Sequence, residues 1–325
     1  MKDRPPPNAS EYTKWLKEKA NLELTIADAI MRIPAYERRS IISQIPTSLS
    51  LTRVGLTLFK NSISVPPFNP LVLGGLALWL DAADATALFS NTLGTTPATN
   101  GGAVRHWKDK SGLGRNATTS GSNMTYVSGG FNGLNTIRGL QDPNTLSSGF
   151  TTPSFAISTT NSTSIFAVYN QLAVRTNTGT SDSRFVYMPT AANLNFFYRN
   201  PGSGNTTGTF ITTLNGADRV GSNYTPTIPY ASIFEAVYTP NTGTLYGNGT
   251  PYNTLTTTGG GSGALNSPFT LGLFSESMQG NICELLIFGT ALSTTQRQQV
   301  EGYLAWKWGL QASLPSNHPY FNVKP

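Results

Sequence analysis

The sequence predicts a mainly β protein: an antiparallel jelly-roll β-sandwich with an N-terminal α-helical arm and a C-terminal helix. Three observations lead there. With 32 glycines and 21 prolines in 325 residues, turn-formers are dense throughout. Between them, short runs of β-branched and aromatic residues recur at strand length. No strand–helix alternation follows residue 70, which argues against a doubly wound parallel sheet. Apolar residues make up 38% of the chain, enough for a core, and charged residues only 12%, against the usual ~25%. Low charge with abundant aromatics excludes disorder driven by self-repulsion.

Taken in order, the chain divides near residue 70 into an arm, 1–70, and a sandwich domain, 71–325. The arm holds ten of the 22 Lys/Arg and six of the 16 Asp/Glu, so it carries most of the net charge of +6. Acids are mixed with the bases, unlike the single-sign blocks of nucleic-acid-binding tails, so no specific nucleic-acid partner is expected. Ser10 caps a helix expected over 11–32, with Leu16, Ala20, Leu24, Ala27 and Met31 on one stripe. Ile33-Pro34 ends it, because proline disfavours helix in the residue before it. Pro34 starts a second helix to Gln44. Residues 48–58 nearly alternate, as an extended segment does, and Val65-Pro66-Pro67-Phe68-Asn69-Pro70 forms a stiff linker. Such an arm has little core of its own. It either packs on the main domain as an accessory hairpin or docks on other subunits, burying Trp15, Leu16, Leu24 and Met31 with Arg38 and Arg39 alongside.

Beyond residue 70, strands are expected over 76–80, 103–107, 164–169, 184–188, 194–198, 232–238, 244–246, 269–274 and 282–288. The Gly-rich run 259–263 precedes no helix and lacks a lysine, so it is a loop rather than a phosphate cradle. The last element is a helix. Ser293 and Gln296 form a capping box, Val300, Leu304 and Trp308 share a face, and Gly309 stops it. It is expected against the end or side of the sandwich.

One cysteine, Cys283, excludes an internal disulfide framework, and two histidines, His106 and His318, leave no basis for a His-rich metal site. The start of the chain lacks a signal-peptide pattern, and the longest apolar run, 71–80, is half a membrane span.

Four segments carry a family resemblance: LALWLDAADAT from Leu76, VRHWKDKSGLGRNAT from Val104, SIFAVYN from Ser164, and GNICELLIFGTALSTTQRQQVEGYLAWKWGL from Gly280, followed by LPSNHPY. Together they resemble the concanavalin A-like lectin/glucanase superfamily in its laminin-G-like branch. The ending LAWKWGL…LPSNHPY is similar to domains of giant double-stranded DNA virus proteins and of some bacterial surface proteins. The resemblance implies a two-sheet jelly roll over most of 71–325 and says nothing of 1–70. Family fold does not fix function, since members include glycanases, lectins and structural subunits.

Glycan cleavage needs two carboxylates flanking a bond. Glu235, Glu276 and Glu284 each stand alone at strand spacing, and only a pair assembled from distant strands is left open. No Gly-x-Ser-x-Gly elbow occurs. Cys283, in an apolar strand, is expected to be a buried, inert thiol. Calcium takes clustered oxygens, and Asp81, Asp84 and Asp109 are its speculative ligands; the simpler role is organising turns. Phe196, Phe197, Tyr198 and Tyr246 are candidates for sugar stacking, and Trp306 and Trp308 cannot share one helix face. Seven Asn-x-Ser/Thr sequons occur. No catalytic residue or cofactor is assigned. The expected function is structural: a minor capsid protein in the virion of a large icosahedral DNA virus, binding the major capsid protein and other minor capsid proteins through its arm, with an inner viral membrane surface as a further partner. The alternative is a lectin-like, carbohydrate-binding surface module.

Overall fold

Strand-forming runs dominate the chain from residue 76 onward. The computed structural model describes residues 67–119, 124–139, 149–156, 162–172, 182–187, 195–199, 209–214, 218–221, 229–256, 266–271 and 280–325. Backbone alone is described at 182–187, 195–199, 209–214, 218–221, 255–256 and 266–267. The predicted arm elements, with Trp15, Leu16, Leu24, Met31, Arg38 and Arg39, lie outside the described residues, as does the loop 259–263.

The strands are β1 (Leu76–Asp81), β2 (Leu88–Phe89), β3 (His106–Trp107), β4 (Ala117–Thr118), β5 (Met124–Phe131) and β6 (Leu134–Gly139). Then come β7 (Phe150–Thr151), β8 (Phe155–Ala156), β9 (Thr163–Gln171), β10 (Asp182–Tyr187), β11 (Asn195–Arg199), β12 (Thr209–Leu214) and β13 (Asp218–Gly221). Finally come β14 (Tyr230–Tyr238), β15 (Thr242–Gly247), β16 (Thr250–Thr256), β17 (Asn266–Ser267), β18 (Thr270–Leu271) and β19 (Gly280–Phe288), followed by the helix α1 (Thr294–Trp308). One sheet has eight strands, ordered β16-β15-β14-β9-β19-β6-β5, with β1 also paired to β19. The other has nine, ordered β13-β12-β11-β10-β18-β7-β4-β3-β2, and β17 pairs β8 separately. All of these pairings are antiparallel.

The sheets face each other across one core. Leu78, Leu80, Ile165, Ala167, Phe234, Ala236, Leu285 and Ile287 of the first meet Trp107, Ala117, Phe150 and Leu271 of the second. Because strand side chains alternate, Trp79, Asp81, Phe166, Glu235 and Glu284 fall on the opposite, outer face of the eight-stranded sheet. That face is covered too, so β9 and β19 are buried along their whole length. Burial on both sides explains why both read as nearly unbroken apolar runs.

The cover is α1. Its N-terminus carries the predicted capping box, with Ser293 and Gln296 each accepting from the other's backbone amide. Its buried surface is broader than the expected stripe and takes in Arg297, Gln299 and Glu301 with Val300, Leu304, Ala305 and Trp308. The helix therefore lies on the sheet face rather than at an end of the sandwich. At its C-terminus Gly309 adopts φ 70°, and Asn132 Nδ2 donates to the Trp308 carbonyl at 2.6 Å. Asn132 and Gly133 turn the β5–β6 hairpin, with φ 48° and 78°. Asn248 and Gly249 turn β15–β16 in the same way, with φ 49° and 78°. Positive φ at both central residues is what a type I′ turn requires, and Asn-Gly supplies it. The runs read as strands from sequence omitted the two-residue strands β2, β4, β7, β8 and β17 and the longer β5, β6, β12, β13 and β16, none of which carries a sustained apolar run.

Replacing Gly309 with alanine tests the helix stop. The left-handed backbone disfavours a Cβ, which would also sit 2.7 Å from Asn132 Nδ2. Denaturant unfolding of Gly309→Ala is expected to show a loss of about 1–2 kcal/mol.

Candidate functional site

The motif segments meet under α1. β1 contributes Trp79 and Asp81, and β19 contributes Glu284, which stands opposite Asp81 in the antiparallel register. The turn after β3 brings Lys110, and α1 supplies Tyr303, Lys307 and Trp308. Glu284 is fully buried and accepts four hydrogen bonds. Trp79 Nε1 donates to Oε1 at 2.8 Å and Tyr303 OH to the same oxygen at 2.9 Å. Lys307 Nζ and Trp308 Nε1 each donate to Oε2 at 2.7 Å. Burial pushes the Glu284 carboxyl above the ordinary carboxylate range and Asp81 adds to this, while Lys307 and Trp308 pull it back. The two indole N–H groups and the Lys307 ammonium only donate, so they favour the carboxylate form, which offers lone pairs to all four donors. The same burial, then Glu284 and Asp81, pushes the Tyr303 phenol far up, which keeps it a neutral donor.

Asp81, Asp84 and Asp109 surround this centre, but the protein's own donors occupy them. Asp81 lies 2.7 Å from Lys307 and 2.8 Å from Lys110, and Lys110 also reaches Asp84 at 2.9 Å. Burial opposes charge on Lys110, yet these two carboxylates outweigh it and raise its pKa. Asp84 caps the 3₁₀ turn Ala85–Ala87 through the Thr86 amide. Asp109 accepts from the amides of Trp79, Ser111 and Arg115 and from the Ser111 hydroxyl, which shapes the KDKSGLGR turn. Two lysine ammoniums thus supply the positive charge that Asp81 and Asp84 face.

A second buried cluster joins α1 to β14. The fold brings Glu235 beside Glu301, so Glu235 is not alone, as strand spacing alone had it; the partner comes from the helix, a distant segment. Arg297 bonds Glu301 and has its Nε 3.7 Å from Glu235 Oε1. The Arg297 guanidinium also lies 4.1 Å over the Tyr246 ring. His318, from the LPSNHPY segment, sits 2.9 Å from Glu301 Oε2. That segment straps the helix: the Tyr320 amide donates to His318 Nδ1 at 3.2 Å, and Trp306 Nε1 donates to the Tyr320 carbonyl at 2.8 Å. Gly302 makes room, since a Cβ there would lie 2.6 Å from Tyr320. Burial and the Glu301 charge push Glu235 well above the ordinary carboxylate value, although Arg297 opposes them. For Glu301, burial is outweighed by His318, Glu235 and Arg297, and its pKa falls. These two carboxylates are close-set and buried.

The remaining residues singled out from sequence are dispersed. His106 is buried, with Nδ1 3.0 Å from the Thr92 carbonyl and its ring edge-on to Phe89. Cys283 is a buried free thiol whose pKa burial, and next Glu284, push well up. Trp308 is fully buried, whereas Trp306 is half-buried against Tyr320. Side chains of Phe196, Phe197 and Tyr198 lie outside the described residues. Of the sequons, Asn116 and Asn248 are described: Asn116 Oδ1 accepts from the Asp109 amide and the buried Asn248 from the Ile233 amide. Glu301, Lys307 and Tyr303 were missed as site residues. The available signal was a helix carrying Arg297, Glu301 and Lys307 on what must be its covered side.

No family model and no curated protein sequence matches the chain. Among solved structures, it is similar to a Trypanosoma rangeli sialidase in complex with sialic acid, at TM-score 0.46 and 12% identity over 72% of this chain and 33% of that one. It is similar to domain 4 of AbnA, a GH43 extracellular arabinanase from Geobacillus stearothermophilus in complex with arabinotriose, at TM-score 0.42 and 16% identity over 58% and 89% of the two chains. It is also similar to the binding domain of botulinum neurotoxin DC in complex with rat synaptotagmin II, at TM-score 0.46 and 11% identity over 71% and 52%. The chain spans about a third of the sialidase's length. Likenesses this distant say nothing of what this chain binds.

Glu284→Gln places an amide N–H among four donors, of which only the Tyr303 hydroxyl can also accept. Breaking one partner of a buried ion pair is expected to destabilise by about 3 kcal/mol, read as a lower urea midpoint with an unchanged slope.

Proposed function

We propose that this chain is a non-enzymatic structural module, a concanavalin A-like sandwich of the laminin-G-like branch, serving as a minor capsid protein in the virion of a large DNA virus. One observation carries the non-enzymatic part. All six acidic side chains described in 71–325 are engaged by the protein's own cations or donors, and the motif residues are spent on holding α1 and its strap to the sheet. A hydrolytic carboxylate pair must instead face an open cleft with room for a glycan. The capsid part is supported by the virus-like ending LAWKWGL…LPSNHPY and by the charge-poor sequence of 71–325, which desolvates cheaply against neighbouring subunits. In this reading residues 1–70 dock on the major capsid protein or on another minor capsid protein, with their positive charge available to an anionic membrane surface. The alternative, a lectin-like module assisted by calcium at Asp81, Asp84 and Asp109, requires a cation to displace Lys110 from Asp81 and Asp84.

The test is incorporation. The full chain is expected to co-purify stoichiometrically with intact particles, and a chain lacking 1–70 to stay folded yet drop out of them. Normal incorporation of the truncated chain contradicts the docking arm. Glycan-array binding abolished by a chelator would assign the lectin function instead.

A further inference from the structure

Glu235 is 1% exposed, and neither of its carboxylate oxygens has a hydrogen-bond partner. A buried anion left in this state is strongly disfavoured, so the site's charge is counted group by group. From α1, Arg297 and Glu301 face Glu235. From β15, the half-buried Tyr246 lies under Arg297, and burial raises its pKa, so it adds no charge. From β9, the residue opposite Glu235 is Phe166, which is not titratable. From the strap, His318 joins through Glu301. The Tyr320 amide donates to His318 Nδ1, so that nitrogen offers its lone pair and Nε2 is the ring nitrogen that donates to Glu301. With both glutamates ionised, one guanidinium would face two carboxylates and leave a buried net charge of −1.

We propose that Glu235 and Glu301 bind one structural proton between them, and that this proton latches α1 and its C-terminal strap onto β14. The proton resides on Glu235, which donates to Glu301, and Arg297 and His318 hold Glu301 as the anion. The sheet, the helix and the strap, which also meet through Glu284 and through Trp306 and Tyr320, share this further link. The opposite displacements of the two carboxyls, Glu235 upward and Glu301 downward, agree with a proton held on the first.

The pH dependence has a definite sign. Glu235 binds its proton more tightly folded than unfolded, where its ordinary value is 4.5. Its stabilisation is complete below that value and is lost as pH rises through the higher folded-state value. Across that window the folded-to-unfolded ratio falls up to about tenfold per pH unit for this one proton.

The test compares the wild-type chain with Glu235→Gln in urea unfolding across mildly acid to alkaline pH. Glutamine carries a permanent donor at the same position, so the variant is expected to lose one proton's worth of the slope and to be the more stable form at alkaline pH. Glu284, also raised by burial, contributes equally to both proteins and cancels. Infrared spectra at neutral pH should show a protonated carboxyl carbonyl in the wild type that Glu235→Gln lacks. An unchanged slope, or identical spectra, overturns the proposal. If the variant does not fold, the wild-type spectrum decides alone, and the absence of any protonated carboxyl at neutral pH overturns it.

Discussion

The domain is organised around one buried anion. Glu284 has no exposure, and its two oxygens receive Trp79, Tyr303, Lys307 and Trp308. A carboxylate taken out of water is tolerated only when its lone pairs are filled, and here four donors fill them. The donors come from β1 and from α1, while the acceptor belongs to β19. The first strand, the last strand and the helix can therefore satisfy that carboxylate in only one arrangement. Replacing the whole group by apolar residues need not cost stability, so its value lies in specifying how the helix sits.

The same constraint governs the chemistry available. Lys307 serves Asp81 as well as Glu284, and Lys110 serves Asp81 and Asp84, so the three acids and two lysines form one network. Glu235, Glu301, Arg297 and His318 form a second network farther along the same helix. Both are closed by protein groups and lie beneath α1. Trp79, with Lys110 4.7 Å over its ring, and Tyr303, edge-on to Trp79 at 6.5 Å, pack around the first. The segments that gave the chain its family resemblance are thus the fastening of helix and strap to sheet.

Much of this was legible beforehand. The two-layer β class, nine of the nineteen described strands, the Ser293–Gln296 capping box and the Gly309 stop follow from local pattern, because turn chemistry and periodicity act over a few residues. Strands β5 and β6 were overlooked because Thr, Ser, Gly and Asn interrupt their apolar residues Met124, Tyr126, Val127, Leu134 and Ile137, although Asn132-Gly133 marks their turn. The helix was expected against the end or side of the sandwich, with Val300, Leu304 and Trp308 as a narrow stripe, and it takes the side. The structure widens that stripe with Arg297 and Glu301, buried charges that become favourable only once β14 and the strap supply partners. Glu284 and Glu235 looked solitary for the same reason: their partners lie 205 positions upstream at Trp79 and on a helix far downstream, separations no local pattern reports.

The central claim is that Glu284 holds α1 on the sheet, and amide hydrogen exchange on a Glu284→Ala chain tests it directly. The account predicts that α1 and the segment through Tyr320 lose protection by orders of magnitude, well beyond any change in β14 and β15. Helix amides as slow to exchange as in the unmodified protein would contradict it.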